Sequence, residues 1–198
     1  MALDLSLGSE GLVFPALIRL LETLSCDEFQ AACPQPYLLQ IPLDHPTPLA
    51  GERGVTQRVT AVDLDQDRTS VLPPEAVLTR TRSRAFDGVT VHRLAPRETA
   101  APGTAAPTVV TIGRAGECDV VLRASTVSQR HAQIDLERST ITDLGSLNGT
   151  FVESKRIPPR IEVPISDGQN LWLASYRAVF LGPARLYRLA ERLRPRLV

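Results

Sequence analysis

The apolar positions of the chain follow two different periods. Over residues 12–24, LVFPALIRLLETL, the side chains of Leu17, Leu20, Leu21 and Leu24 recur at helical spacing. Pro15 falls where a first helical turn needs no N–H, so the segment predicts an amphipathic helix. Ser25, followed three residues later by Glu28, has the form of a capping box and predicts a second short helix over CDEFQAA, closed by Pro34. From about Asp87 to Gly182 the period shortens. VTVHRL, TVVTIGR, CDVVLR, HAQIDLE, STITDL, GTFVES, IEVPI, NLWLAS and YRAVFL are short β-branched runs punctuated by Gly, Asn, Asp and Pro. Such regular short strands predict an all-β sandwich or barrel. Within HAQIDLE, Ala132, Ile134 and Leu136 alternate with His131, Gln133, Asp135 and Glu137, as in a strand with one wet face. After Gly182, the segment PARLYRLAERLRP sets Leu186, Leu189, Ala190 and Leu193 on one face and predicts a closing helix.

Between the two textures lies PQPYLLQIPLDHPTP, in which YLLQI has the composition of one short strand, and then a polar stretch from Ala50 to about Arg84 with little pattern. The resulting organisation is a helical extension over residues 1–34, a proline-rich and polar linker over 35–84, and a β-sandwich with its C-terminal helix over 85–198. Residues 96–107, PRETAAPGTAAP, read as a flexible hairpin loop.

Composition narrows the function classes. A length of 198 residues suits one domain with an extension rather than two full cores. The 22 basic and 22 acidic side chains cancel, so no global field draws the chain to nucleic acid or to an anionic membrane, and any anion site must be local. Three cysteines, Cys26, Cys33 and Cys118, are odd in number and have no metal-ligand spacing, which speaks against a disulfide framework or a zinc site and for a reducing compartment. No Lys or Arg precedes the first apolar run, and no stretch approaches the ~18 apolar residues of a membrane span. The expectation is a cytoplasmic protein without a cofactor or metal.

Chemistry concentrates where strands meet loops. Gly113 and Arg114 end TVVTIGR, Ser128 and His131 occupy VSQRH, the turn before HAQIDLE, and Asn148 and Gly149 lie in DLGSLNGTF, between STITDL and GTFVES. A guanidinium fork matches an oxyanion, a hydroxyl adds a short donor, and a carboxamide donates and accepts at once, which suits an extended peptide backbone. In this order, IGR, CDVVL, VSQRHA and DLGSLNGTF resemble the motif set of the forkhead-associated (FHA) family over roughly residues 88–182. The resemblance implies a β-sandwich of about eleven strands whose loops at one end hold a phosphothreonine. By the same resemblance Arg114 would bind the phosphate oxygens, Ser128 would donate its hydroxyl to them, and Asn148 would bond the ligand backbone beside the phosphothreonine. Gly113, His131 and Gly149 would shape the loops.

Two positions depart from that pattern. Gln129 stands where the family often has an arginine or another strong donor, and Leu147 where a polar side chain is common; Arg130 compensates if it points to the pocket. The loop Arg123–Val127 is the expected determinant of peptide selectivity, with Thr126 foremost. Ser128, His131 and Asp143 also form the composition of a hydrolase triad, but no GxSxG elbow surrounds the serine, and no enzymatic function is expected. Asn148–Gly149 favours a tight turn whatever its function.

The expected partner is a phosphothreonine-containing protein, a Ser/Thr kinase or its substrate, and neither nucleic acid nor membrane. The alternative is a scaffold that keeps the fold and binds without phosphate. Thr47, Thr60 and Thr69 in the poorly patterned stretch are candidate intramolecular ligands, and the apolar helix at 12–24 either packs on the sandwich or offers a partner surface.

Overall fold

In a computed structural model, which describes residues 11–40, 89–97 and 107–193, two β-sheets lie face to face and three helices cover the outer face of the larger one. The chain forms β1 (Leu12–Val13), α1 (Phe14–Leu21), α2 (Cys26–Ala32), β2 (Tyr37–Gln40), β3 (Thr90–Arg93), β4 (Val109–Gly113), β5 (Val120–Val121) and β6 (Ala132–Asp135). It continues through β7 (Thr140–Asp143), β8 (Thr150–Val152), β9 (Lys155–Arg156), β10 (Glu162–Pro164), β11 (Asn170–Leu173), β12 (Tyr176–Leu181) and α3 (Pro183–Leu193). The larger sheet has the order β1-β3-β2-β12-β11-β8-β9 and the smaller β10-β7-β6-β4-β5. Every pairing is antiparallel except the short parallel contact of β4 with β5. Pro164, which lacks an amide to donate, sits on the edge strand β10, where a ladder tolerates it.

The all-β sandwich with helical additions matches the sequence expectation, and the two helical signals have visible causes. Ser25 Oγ accepts from the Glu28 amide while the Glu28 carboxylate accepts from the Ser25 amide, so the capping box opens α2 as its spacing predicts. The helix expected over 12–24 is shorter, because Leu12 and Val13 pair with Val91 and Thr90 at the sheet edge before α1 begins.

The short strand expected in YLLQI, near the start of the 35–84 segment, is present and lies inside the core. Tyr37–Gln40 is a strand inside the larger sheet, bonded on one side to β12 (Leu38 opposite Phe180) and on the other to β3 (Leu38 opposite His92). Its two faces are both buried. Leu38 joins Ala178 and Phe180 in the core between the sheets, with Val110, Ile112, Ile134, Ile141, Leu171 and Leu173. Tyr37 and Leu39 point the other way, with Val91, Val179 and Leu181, into a second core under the helices. A strand buried on both sides shows a continuous apolar run instead of alternation, which is why YLL carried so little strand signal.

The second core also settles the helix at the N-terminus. Phe14, Leu17, Ile18 and Leu21 of α1 are buried there with Phe29 of α2 and with Leu186, Leu189, Ala190 and Leu193 of α3. Phe29 stacks on Tyr37 at 6.0 Å between centroids, and the Tyr187 hydroxyl donates to Leu24 O at 2.7 Å. The apolar face that Phe14, Leu17, Ile18 and Leu21 form is thus packed inside the fold, as one of the two expectations for this helix had it. Residues 50–84, with Thr60 and Thr69, as well as Thr47 and most of the loop at 96–107, lie outside the described residues.

A chain beginning at residue 85 would lack β2 and the α1–α2 layer, opening the edge of β12 and one face of Val179 and Leu181. We expect it to lose the cooperative urea transition that the full chain shows by circular dichroism; an equally sharp transition in the shortened chain would contradict the shared core.

Candidate functional site

The residues singled out from the motifs meet at one end of the sandwich, and main-chain bonding explains how. Beyond β4 the backbone runs beside the segment preceding β6: the Arg114 amide donates to Ser128 O at 3.0 Å and the Ala115 amide to Gln129 O at 3.0 Å. Gly113 permits this approach, since a Cβ there would collide with the Gln129 carbonyl oxygen. The Arg114 side chain then turns onto the same segment, its Nε donating to Val127 O at 3.1 Å. From the other side, Asn148, only 7% exposed, donates through Nδ2 to Thr126 O at 2.8 Å. Ser128 Oγ accepts from the Leu147 amide at 3.1 Å, which leaves the hydroxyl proton to be donated elsewhere. Guanidinium, hydroxyl and carboxamide are therefore all anchored on the stretch 126–128. The β11–β12 turn completes this rim, with the Ala174 amide on Gly149 O at 3.0 Å.

His131 ties the two loops together. The Ser128 amide donates to its Nδ1 at 3.1 Å, and because an amide can only donate, Nδ1 is unprotonated and Nε2 carries the proton. Nε2 in turn donates to Gly149 O at 3.2 Å. Burial holds the imidazole below its ordinary pKa, against the opposing influence of the Gly149 carbonyl and the Asp143 charge. Both ring nitrogens are thus committed to the main chain, so His131 is not placed to act as a base on the Ser128 hydroxyl, and the triad geometry is not assembled.

Asp143 is the residue whose structural weight the motif reading missed. Its side chain is almost fully buried, at 2% exposure, and its carboxylate accepts four hydrogen bonds. Oδ1 takes the amides of Gly145 (2.8 Å) and Ser146 (2.9 Å); Oδ2 takes the hydroxyls of Ser146 (2.6 Å) and Thr150 (2.6 Å). Burial alone would raise its pKa, but bonds from Ser146, Thr150 and Gly145 outweigh it and hold the carboxyl below the usual aspartate range. The turn so closed brings Gly149 to φ +85°, a left-handed conformation that glycine adopts without strain, and its amide donates to Ser146 Oγ. An Asp two residues before Gly-Ser is an Asx-turn signature, so the signal was present in DLGS.

The remaining expected positions separate. Thr126 is buried, its hydroxyl bonded to Ser175 Oγ at 2.6 Å, so it braces the β11–β12 turn and is not the exposed selectivity side chain of the sequence reading. Gln129 is exposed, while its carbonyl accepts from Ala115 and from the Cys118 thiol. Arg130 is exposed as well and near enough to Cys118 for its charge to act on that thiol, which places it by the 115–118 loop. Leu147 stands out at 46% exposure on the opposite loop. Arg156, which sequence reasoning passed over, lies against the backbone of Gly149. Among the described residues, no group of three or more His, Cys, Asp or Glu is placed to hold a metal ion, and no helix is long and apolar enough to cross a membrane.

Residues 110–174 match the family model described as FHA domain. The chain is 39% identical over 77 residues to an oxoglutarate dehydrogenase inhibitor of Corynebacterium efficiens, covering 37% of this chain and 52% of that protein. It is 35% identical over 78 residues to the glycogen accumulation regulator GarA of Mycobacterium tuberculosis, covering 38% of this chain and 46% of the relative. The chain thus spans about half the length of the curated relatives it matches. Among solved structures, Mycobacterium tuberculosis EmbR in complex with a low-affinity phosphopeptide aligns at 32% identity over 37% of this chain and 20% of that one, with a TM-score of 0.34.

Replacing Asp143 by asparagine sets an amide group against the Ser146 and Thr150 hydroxyls, and we expect a loss of roughly 1–3 kcal/mol at neutral pH. The folded pKa of Asp143 is depressed, so its contribution is complete above the ordinary aspartate value of about 3.9 and disappears as pH falls through the lowered folded value. Urea unfolding of the native chain and Asp143→Asn should therefore converge as pH drops below about 4; a gap that stays constant down to acid would show that the charge is not what matters.

Proposed function

We propose that this chain, whose residues 110–174 form an FHA domain, is a phosphothreonine-dependent protein-interaction module in Ser/Thr kinase signalling. The observation that carries the reading is the gathering of Arg114, Ser128 and Asn148 on one main-chain segment. A phosphothreonine brings about −1.5 to −2 charges and three acceptor oxygens, and it needs fixed donors rather than a general field. Arg114 supplies the charge, its plane set by the bond to Val127 O. The Ser128 hydroxyl adds a second donor whose oxygen is already held by the Leu147 amide. Asn148, oriented by Thr126 O, addresses the peptide backbone next to the phosphate. Gly113, His131 and Gly149 act through the loops they hold. Relatives named an inhibitor and a regulator suit a chain that works by binding rather than by turnover.

The expected partner is a Ser/Thr kinase or one of its substrates, met in the cytoplasm, where free thiols such as Cys26, Cys33 and Cys118 persist. A phosphothreonine within this same chain is a second source. Gln40 and Thr90 both pair at the Ala178 level of β12, two residues from its first residue, Tyr176, so the connection between β2 and β3 leaves and returns at the rim that carries the site. A scaffold that binds without phosphate is favoured only by Gln129 and by the exposed Leu147, neither of which removes Arg114.

Titrating phosphothreonine peptides and their unphosphorylated twins tests the proposal. We expect binding of the phosphorylated set alone, weakened tenfold to a hundredfold by Arg114→Ala, since a charge-assisted bond contributes about 1.5–3 kcal/mol. Equal binding of both sets, or a partner complex indifferent to Arg114→Ala, would instead establish the phosphate-independent scaffold.

A further inference from the structure

One cation at the rim has no assigned task. Arg156 belongs to the β8–β9 hairpin, where it stands directly opposite Phe151 in the register. Its guanidinium lies on the main chain at Gly149: a Cβ built on that glycine would come 2.6 Å from Nε and 3.0 Å from both Cζ and Nη2. The residue before Gly149 is Asn148, the proposed reader of the peptide backbone. The group is solvent-exposed, and among the described residues no carboxylate pairs with it. The acids of the adjoining segments, Asp143 and Glu153, already have partners. Asp143 is buried under four hydrogen bonds, and Glu153 accepts from the Asn170 amide and carboxamide. A guanidinium lying against the main chain has less freedom to lose on pairing than one clear of the protein, and its planar fork suits a carboxylate.

We infer that Arg156 is a specificity-determining residue that reads an acidic side chain flanking the phosphothreonine on the bound peptide. This rests on the phosphothreonine reading above and adds to it the chemical class of the neighbour. The chain as a whole is neutral, with 22 basic and 22 acidic side chains, so such a preference comes from placement and not from net charge. Glycine at 149 is part of the device, because any side chain there would push the guanidinium off its seat.

The test uses the full chain and phosphothreonine peptides with alanine at every flanking position, alongside versions that carry aspartate at one flanking position at a time. For the native chain we expect aspartate at one position to tighten binding about two- to fivefold, the range of an exposed ion pair. In Arg156→Gln the gain should vanish, with the melting temperature unchanged, while the alanine-flanked peptide still binds. Arg156→Lys, which keeps the charge but not the planar fork, should retain only part of it. A gain that survives in Arg156→Gln, or the absence of any aspartate effect while the alanine-flanked phosphopeptide binds, overturns the inference and leaves the phosphothreonine reading standing. Failure of the alanine-flanked phosphopeptide to bind the native chain overturns both.

Discussion

A carboxylate that cannot reach water sets the geometry on which the rim depends. Asp143 is charged, buried, and surrounded by two amides and two hydroxyls that accept no substitute of different shape. A buried charge is tolerable only when it is fully bonded, so the turn from 144 to 150 has essentially one conformation open to it. That conformation presents the Leu147 amide to Ser128, aims Asn148 at Thr126 O, and sets Gly149 O against His131. The donors of the proposed site inherit their positions from an acid that faces the interior. Such preorganisation reduces the ordering cost of binding, which otherwise consumes much of a modest interaction energy.

The same logic runs through the main-chain carbonyls of 126–129. Val127 O holds Arg114, Thr126 O holds Asn148, Ser128 O and Gln129 O hold the backbone beyond β4, and the Ser128 amide is fixed by His131. A turn segment outside both sheets is thereby held largely by groups of the site, and the site is ordered by that segment. Neutral His131 suits the exchange, because a protonated ring would present an N–H to the Ser128 amide; burial disfavours the charged form, and the Ser128 amide and Gly149 carbonyl select the tautomer.

Much of this was legible in the sequence, and the parts that were not have physical causes. The sandwich, the capping box at Ser25 and Glu28 and the closing helix all follow from periodicity and local chemistry. That Arg114, Ser128 and Asn148 gather at one end could be anticipated because motif order survives in a linear reading. Thr126 was misjudged since exposure is a property of the folded chain: its hydroxyl faces Ser175, 49 positions away. Asp143 drew notice only as a triad member, although its Asx-turn context was in view. The strand at Tyr37–Gln40 was legible in YLLQI only as an isolated strand within the linker, because it has no polar face to mark its period. Nothing in the sequence indicated that its neighbour across the ladder would be β12, near the other end of the chain.

That last pairing changes what the N-terminal residues are for. β2 is the central link between β3 and β12, and the helices that precede it form one layer with α3. Strand β2 is consequently apolar on both faces, one turned to the smaller sheet and the other to the helices, and cannot be cut away without opening the core. The N-terminal helices lie on the outer face of the sheet, whereas the polar groups of the site lie at its end, on loops. Binding of a peptide at the rim would therefore leave the helical layer intact, and substitutions in that layer would act on the site only through overall stability. The rim is in this sense a separate device mounted on the sandwich: in the proposed function Arg114, Ser128 and Asn148 would decide what it recognises, while residues 12–40 and 183–193 decide how well it is held.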